Sequence, residues 1–153
     1  MKARHIFLFL VLAVAVGYFA LSTSNGPRIG QPKTVGAVII GSTEYTVEIA
    51  KTDDERKRGL SGRDSLEAGY GMLFVFPKPD YYSFWMKDTK MPLDILWIHD
   101  EHIVDIKVDA EPSSSSQPPT FSPREAAEYV LEINGKDSEV YGFKVGDSVR
   151  MRF

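Results

Sequence analysis

The sequence predicts a mainly β fold, α+β at most: a compact antiparallel β-sandwich or open barrel of about eight short strands with one or two small helices. Three observations lead to this prediction. Short apolar runs alternate with a period of two or are rich in β-branched and aromatic residues. Clusters of turn-forming residues separate these runs, and most connections are too short to hold a crossover helix.

Composition narrows the class of protein. The 153 residues, of which 43% are apolar and 25% charged, suffice for one compact domain and are unlike collagen, a coiled coil or a disordered chain. The chain has no cysteine, which excludes disulfides, thiolate chemistry and iron–sulfur clusters. Its 18 basic residues against 21 acidic ones leave no basic excess, so we expect no nucleic-acid partner.

The N-terminus is typical of a membrane-targeting segment. Lys2 and Arg4 precede an uncharged, mostly apolar run over 6–21, and a stretch rich in Ser, Asn, Gly and Pro follows it. As a helix this run is about 24 Å long, somewhat short of a hydrocarbon core of about 30 Å. We predict a signal peptide or N-terminal membrane anchor over residues 1–22, a linker over 23–34 and a single β-rich domain over 35–153.

The charge bias at the N-terminus predicts where the domain is found. Positive residues before the apolar run favour an N-terminus inside the cell and a body outside it. We therefore expect a protein anchored on the outer face of the cytoplasmic membrane, or a secreted or periplasmic one if the leader is cleaved. The expected partners are the membrane, through the N-terminal segment, and a small-molecule or envelope ligand.

A β-hairpin and a short helix are predicted to open the domain. After the run over 35–40 and two turn residues, three apolar residues alternate with polar ones: Tyr45, Val47 and Ile49. Thr52 and Glu55 then have the spacing of a capping box, which predicts the start of a helix. That helix is predicted to end near Gly59.

The second half of the domain is predicted to be strands. Both alternating faces are apolar in three runs, so we expect central strands covered on both sides: 72–76, 82–86 and 93–99. The segment 104–109 alternates apolar with charged residues and is predicted to expose one face, and 129–134 is predicted as a further strand. The polar, proline-rich segment 111–124 is predicted as a mobile surface loop.

Five segments, taken in order, give the chain a family resemblance: RGLSGR at 58–63, GMLFVF at 71–76, FWMKDTKMPLDI at 84–95, YVLEING at 129–135 and VGD at 145–147. Together they resemble the domain of unknown function 192 family of small, often exported bacterial and archaeal proteins. The resemblance covers about residues 43–153, and its most specific part is the Trp-Met-Lys-x-Thr-x-x-Pro-Leu-Asp run. It implies a β-rich fold with a small helix and supplies neither an activity nor a catalytic residue.

Polar residues near the ends of the central strands form the candidate site. Asp94 has the strand parity of Leu96, so its carboxylate is drawn toward a covered face and needs a cation or amide donors there. Glu132 has the parity of Val130 on another strand, and Arg58 and Arg63 are candidate partners for the acids. The predicted ligand-binding residues are Arg63, Lys87, Thr89, Asp94 and Glu132.

Alternatives for these residues stay open. The charged residues form either a ligand site at the end of the sheet or a buried polar clamp that fixes loops and register. Aromatic residues form either a stacking platform or part of the core: Tyr81, Tyr82, Trp85 and Trp97. The segment 99–102, His-Asp-Glu-His, is interpreted as an exposed hairpin tip, so no metal and no cofactor is expected.

Three functions follow from this reading. The leading hypothesis is an exported, membrane-tethered β-rich module that binds a small ligand or an envelope partner. The second is a hydrolase, acting on glycans or another substrate, that uses Asp94 and Glu132 as acid and base; it requires carboxyl groups roughly 5–9.5 Å apart in an open cleft. The third is a purely structural envelope protein, with a buried clamp and no cavity.

Overall fold

The computed structural model describes residues 34–153, so the predicted leader and the predicted linker up to residue 33 lie outside the described residues. The strands are β1 (Val35–Ile40), β2 (Thr43–Ala50), β3 (Tyr70–Asp80), β4 (Phe84–Trp85), β5 (Leu93–His99), β6 (His102–Ala110), β7 (Thr120–Phe121), β8 (Ala127–Asn134) and β9 (Val149–Arg152). The helices are α1 (Asp53–Arg58) and α2 (Asp137–Tyr141). Within this part of the chain, no helix has the length and apolarity that a membrane crossing requires.

Seven strands form one curled half-barrel sheet in the order β6-β5-β8-β3-β2-β1-β9. β1 and β2 pair antiparallel, which confirms the predicted hairpin, whereas β2 and β3 run parallel across α1. Backbone bonds from Ile103 N to Asp147 O (3.0 Å) and from Val149 N to Glu101 O (2.7 Å) bring the ends of β6 and β9 together. The mainly β prediction is therefore confirmed, and the open barrel describes the form better than the sandwich.

The sheet has an apolar core on each face. Alternate residues of a strand point to opposite sides, so one cluster contains Leu73, Leu96 and Leu131 while the other contains Phe74, Trp97 and Val130. The first cluster draws on all seven strands and is called the interior core; the second, called the outer core, also includes Leu60 and Met86 from loops. The predicted central strands at 72–76 and 93–99 are thus covered on both sides.

The prediction of a central strand over 82–86 is wrong. Only β4 lies there, and it pairs with β7 in a separate two-stranded sheet. The ring of Phe84 packs edge-on against Phe74, with centroids 4.9 Å apart, and against Trp97 at 6.2 Å. This aromatic run therefore covers the outer core instead of extending the large sheet, and part of the 111–124 segment is ordered as its partner strand.

A β-bulge interrupts the alternation predicted for 104–109. The register between β5 and β6 shifts after Trp97, which adds one residue on the β6 side. Asp105 is consequently buried, at 8% exposed, instead of facing water. Its carboxylate accepts hydrogen bonds from the Arg124 backbone N–H at 2.9 Å and from Nη2 at 2.8 Å, and these satisfy the buried charge.

The helix α1 begins as the capping box predicts. Thr52 Oγ1 accepts from Glu55 N at 3.3 Å, and the Glu55 carboxylate accepts from Thr52 N at 2.9 Å. The helix ends at Gly59, whose φ of 48° lies in the left-handed region that favours glycine. Its last turn is basic throughout, and the Arg56 guanidinium lies 5.1 Å from the ring centre of Phe76.

Candidate functional site

Glu132 lies in the middle of β8 with its side chain on the outer-core face. Its neighbours across the sheet are Met72 on β3 and Ile95 on β5, and both belong to that core. The residue is only 5% exposed. Within residues 34–153, Arg63 acts on the carboxyl electrostatically and no hydrogen bond reaches it. A carboxyl group buried in this way is costly, because nothing replaces the water it loses.

Burial decides the protonation state of Glu132. Loss of water raises the pKa of this carboxyl to about 8, against the smaller opposing attraction of the Arg63 guanidinium. Glu132 is therefore mostly protonated at neutral pH. A protonated carboxyl can donate one hydrogen bond and accept others, so it is equipped to bind a polar group that enters from outside.

Arg63 lies beside Glu132 but bonds to another acid. Its guanidinium donates two hydrogen bonds to Glu48, at 2.8 and 2.6 Å, and these bonds raise the pKa of Arg63. Glu48 on β2 pairs with Met72 on β3, which in turn pairs with Glu132 on β8. Three adjacent strands thus hold an acid, a methionine and an acid in one row, and Arg63 attracts the acids at both ends.

A cavity of about 560 Å³ opens above Glu132. Its walls come from the end of α1 and the following loop, from β3 and from the stretch around β4: residues 56–61, Phe74, Phe76, 82–85 and 87–89. Glu132 lies on a central strand of the large sheet, whereas most of the lining comes from loops and β4, so Glu132 is called the floor of the cavity. The volume lies in the range of pockets that hold small organic ligands, about 300–1,000 Å³.

One wall of the cavity is aromatic. The rings of Phe76 and Tyr82 are stacked with their centroids 3.6 Å apart, and Trp85 is 55% exposed at the edge. Trp97 is core, with its indole N–H donating to the Tyr82 carbonyl at 2.9 Å, and Tyr81 is 60% exposed outside the lining. Of the aromatic residues that the sequence analysis considered, two therefore face the cavity.

Lys87 and Thr89, both predicted binding residues, also line the cavity. Their loop is fixed to the loop after α1 by two hydrogen bonds: Ser61 Oγ donates to the Lys87 carbonyl at 2.7 Å, and Gly62 N donates to the Asp88 carbonyl at 2.8 Å. The Lys87 ammonium lies 5.5 Å from the centre of the Trp85 ring. Two loops that are distant in sequence thus form one continuous rim.

Asp94 is not part of this site. It lies on the interior face of β5, whereas Glu132 lies on the outer face of β8, because Asp94 pairs with Ile133 in the register. Its Oδ1 accepts from the backbone N–H of Asp109 and of Lys136, each at 2.8 Å, and its Oδ2 accepts from Ser138 N at 2.7 Å. Asp94 caps the start of α2 from another strand, so it has the structural role of the buried-clamp alternative, but with backbone amides in place of an arginine and without Glu132.

The position of Asp94 and Glu132 on opposite faces of the sheet also tests the hydrolase hypothesis. An acid and base pair must flank one open cleft. Asp94 is fully buried with all three amides in place, and the sheet separates it from the cavity over Glu132. The expectation that these two carboxyl groups meet is therefore wrong, and the structure removes the geometric basis for this catalytic pair.

A group of possible metal ligands lies at the β5–β6 turn. Among residues 34–153, ligand atoms of His99, Asp100 and Glu128 come within 4.8 Å of one another. His99 Nδ1 is 2.5 Å from the Glu128 carboxylate, and this bond raises the pKa of His99. Asp100 and Glu101 have φ of 46° and 59°, as in a tight hairpin turn. Asp100 is exposed, His99 and Glu128 are half-buried, and none of the three lines the cavity.

Sequence reasoning missed part of the lining. Arg56, Lys57 and Phe76 line the cavity without having been predicted, and Arg58 was considered only as a partner for the acids. A signal was present, since a basic last turn followed by Gly59 projects cations and then turns the chain back. The sequence does not reveal that β4 lies over the sheet and lines the same cavity as the last turn of α1.

Fold and site together define a small half-barrel β domain with a buried acid that has no hydrogen-bond partner among residues 34–153 and lies beneath an open aromatic cavity. DUF192, described as an uncharacterized ACR, matches residues 37–151, and the chain belongs to this family. The resemblance inferred from the sequence is confirmed.

Two solved structures are similar to the domain. A Sinorhizobium meliloti protein provisionally described as a transcription regulator shares 32% identity over 78% of this chain and 93% of its own, with a TM-score of 0.69. A Novosphingobium aromaticivorans protein of unknown function shares 31% identity over 82% of this chain and 89% of its own, also with a TM-score of 0.69. No curated protein matches the sequence significantly. The family and these neighbours thus supply the fold without an activity.

Proposed function

We propose that this protein is an exported, membrane-tethered module that binds a small ring-containing molecule in the cavity above Glu132. The observation that supports it most is the carboxyl on the cavity floor, which is buried and has no hydrogen-bond partner among the described residues. A structural acid has its partners supplied by the protein, as Asp94 does. An acid that lacks them is typical of a binding or reacting site.

The aromatic residues of the cavity walls favour a ligand that contains a ring. Tyr82, stacked on Phe76, and Trp85 present aromatic surface at the cavity, and flat apolar or sugar rings stack on such surfaces. A ring on this wall would bring a polar substituent within reach of Glu132, with Lys87 and Thr89 at the rim. We propose these three polar residues as ligand contacts and Arg63 as a neighbour that attracts Glu132 through space.

The transcription-regulator description of one relative gains no support from this chain. Contact with DNA needs an excess of basic residues, and here 18 basic residues stand against 21 acidic ones.

The basic, then apolar, N-terminal segment supports export. Export is tested by fusing residues 1–34 to alkaline phosphatase that lacks its own leader. Phosphatase activity in intact cells supports export, whereas a fusion protein that is synthesised at full length but inactive contradicts it.

Binding is tested with three neutral ring probes: phenol, glucose and naphthalene-2-carboxamide. We expect at least one of them to bind and to shift the indole N–H signal of Trp85, at the cavity edge, more than that of buried Trp97 in two-dimensional NMR. Glu132→Met keeps the volume but removes the hydrogen bond, and should weaken binding by about tenfold. The control Glu139→Gln changes an exposed acid outside the cavity and should leave the affinity unchanged.

Two results would contradict the proposal. One is that no probe moves the Trp85 signal, which would mean that the cavity is empty of small molecules under all conditions tried. The other is that a probe binds equally well to the wild type and to Glu132→Met, which would mean that the floor carboxyl takes no part. The unchanged spectrum of Trp97 in the variant verifies that the outer core is still folded.

A further inference from the structure

We propose that the molecule bound above Glu132 is an anion, a ring compound with a carboxylate or phosphate group that the rim recognises. This inference rests on the proposed function and names its ligand class. It depends on basic side chains that line the cavity and have no carboxylate partner among the described residues. Glu132 on the floor is a second, separate observation.

Three exposed cations at the rim have no carboxylate partner among the described residues. Lys57, Arg58 and Lys87 are exposed, line the cavity and form no ion pair within residues 34–153. By contrast, other described cations hold acids: Arg63 with Glu48, Lys90 with Asp64, Arg124 with Asp105 and Arg152 with Glu44. The unpaired cations thus include a group of three around one opening.

The fourth cation of the lining is already used. Arg56 Nη1 donates to the carbonyls of Lys51 and Val75, at 2.6 and 2.7 Å, and Nη2 donates to Asp53 at 2.5 Å. Arg56 therefore holds α1 against β3 and adds little to recognition. The acids of the lining are Asp88 at the rim and Glu132 on the floor.

The sum of charges disfavours a cationic ligand. Three free cations outweigh Asp88, and Glu132 is mostly neutral at pH 7, so the opening attracts anions and repels ammonium groups. A protonated Glu132 also donates a hydrogen bond, which a carboxylate or phosphate oxygen accepts and an ammonium group cannot. A ring on the aromatic wall with its anionic group toward Lys57, Arg58 and Lys87 meets the rim charges, and a second polar substituent on the ring would meet Glu132.

A matched probe series tests this inference, because its members share one ring and differ in charge: naphthalene-2-carboxylate, naphthalene-2-carboxamide and 2-naphthylmethylammonium. Affinities are measured at low and at physiological salt by titration of the Trp85 indole signal. We expect the carboxylate to bind about tenfold more tightly than the carboxamide at low salt and the ammonium compound to bind most weakly. Physiological salt should reduce the advantage of the carboxylate, because the rim charges are exposed.

Charge-removing variants locate the source of the preference. In Lys57→Gln/Arg58→Gln/Lys87→Gln the preference for carboxylate over carboxamide should fall to about twofold or less, and an unchanged Trp97 indole signal verifies that the outer core is still folded. The control Lys144→Gln/Arg150→Gln removes two exposed cations outside this cavity and should keep the full preference.

Each outcome decides one of the two proposals. If the carboxamide or the ammonium compound binds as tightly as the carboxylate, or if the triple variant keeps the preference, the anionic ligand is wrong and the cavity remains a binding site. If no probe of the series or of the neutral set moves the Trp85 signal, the proposed binding function is wrong and the ligand class fails with it.

Discussion

Two buried carboxyl groups on opposite faces of one sheet differ in what surrounds them. Asp94 is fully buried and Glu132 is 5% exposed, so burial hardly distinguishes them. Asp94 accepts three backbone N–H bonds, whereas Glu132 accepts none from residues 34–153 and faces a cavity of about 560 Å³. Burial of an acid alone therefore does not identify a candidate binding site. What distinguishes the two acids is whether the protein donates hydrogen bonds to the carboxyl group.

The strand position explains why the partners differ. Asp94 is at the start of β5, beside the turn into α2, where the N–H groups of Lys136 and Ser138 have no sheet partner and point to its carboxylate. Glu132 is in the middle of β8, between β3 and β5, where backbone N–H groups are committed to the ladders on either side. An amide donor is thus available to the first acid and not to the second.

The largest expected effect is the loss of stability on replacing Asp94 by its amide. Asp94→Asn removes the charge from three hydrogen bonds and turns an amide donor toward one of the donating N–H groups. We expect the free energy of unfolding to fall by about 4 kcal/mol. Urea denaturation at neutral pH, with Glu139→Gln as the exposed control, measures it. A loss as small as that of the control would make Asp94 equivalent to a surface acid.

Replacing Glu132 by its amide should increase the free energy of unfolding, in contrast to the loss expected at Asp94. The folded pKa of about 8 lies above the ordinary value of 4.5, so folding takes up a proton between these pH values. The contribution of Glu132 is fully present below about pH 4.5 and is lost as pH rises to about 8, by up to about 1.4 kcal/mol per unit. Glu132→Gln does not titrate, so it should gain about 3 kcal/mol relative to the wild type between pH 5 and pH 8.

Denaturation at a series of pH values measures this difference, and subtraction of the two curves cancels every other titrating group. A constant difference between Glu132→Gln and the wild type would show that the carboxyl has an ordinary pKa. The comparison with Asp94 would then lose its basis, since burial without hydrogen-bond partners would have no effect on Glu132.

The smallest expected effect concerns the rim. Lys57 and Arg58 are exposed and form no ion pair within residues 34–153, so Lys57→Gln/Arg58→Gln should change the free energy of unfolding by about 0.5 kcal/mol or less. Thermal denaturation measures this at neutral pH. A loss of about 2 kcal/mol or more would place the rim cations with Asp94, as parts of the fold, and not with Glu132.

Much of the fold could be predicted from the sequence, because its signals are local. The capping box of Thr52 and Glu55, the alternation around Tyr45 and the apolar run of β5 depend on neighbours in the chain. The strand over 82–86 was predicted wrongly, because its composition is that of a buried strand and only the position of Phe74 and Trp97 shows that it packs over the sheet.

The candidate site was predictable only in part for the same reason. Glu132, Lys87 and Thr89 could be selected by type and position, and they line one cavity. Parity within each strand is visible in the sequence, but the pairing between β5 and β8 that sends Asp94 and Glu132 to opposite faces is not. The role of Lys57 depends on how two distant loops meet, which is also a matter of tertiary structure.

The two-stranded sheet of β4 and β7 has a consequence for the diversity of related proteins. It joins only two residue pairs and is separate from the seven-stranded ladder, yet residues of β4 form a wall of the cavity. Insertions or deletions in the connection that contains β7 would reshape the entrance while leaving the barrel register intact. Changes in this small two-stranded sheet would therefore alter the wall of the proposed binding cavity without altering the seven-stranded sheet beneath it.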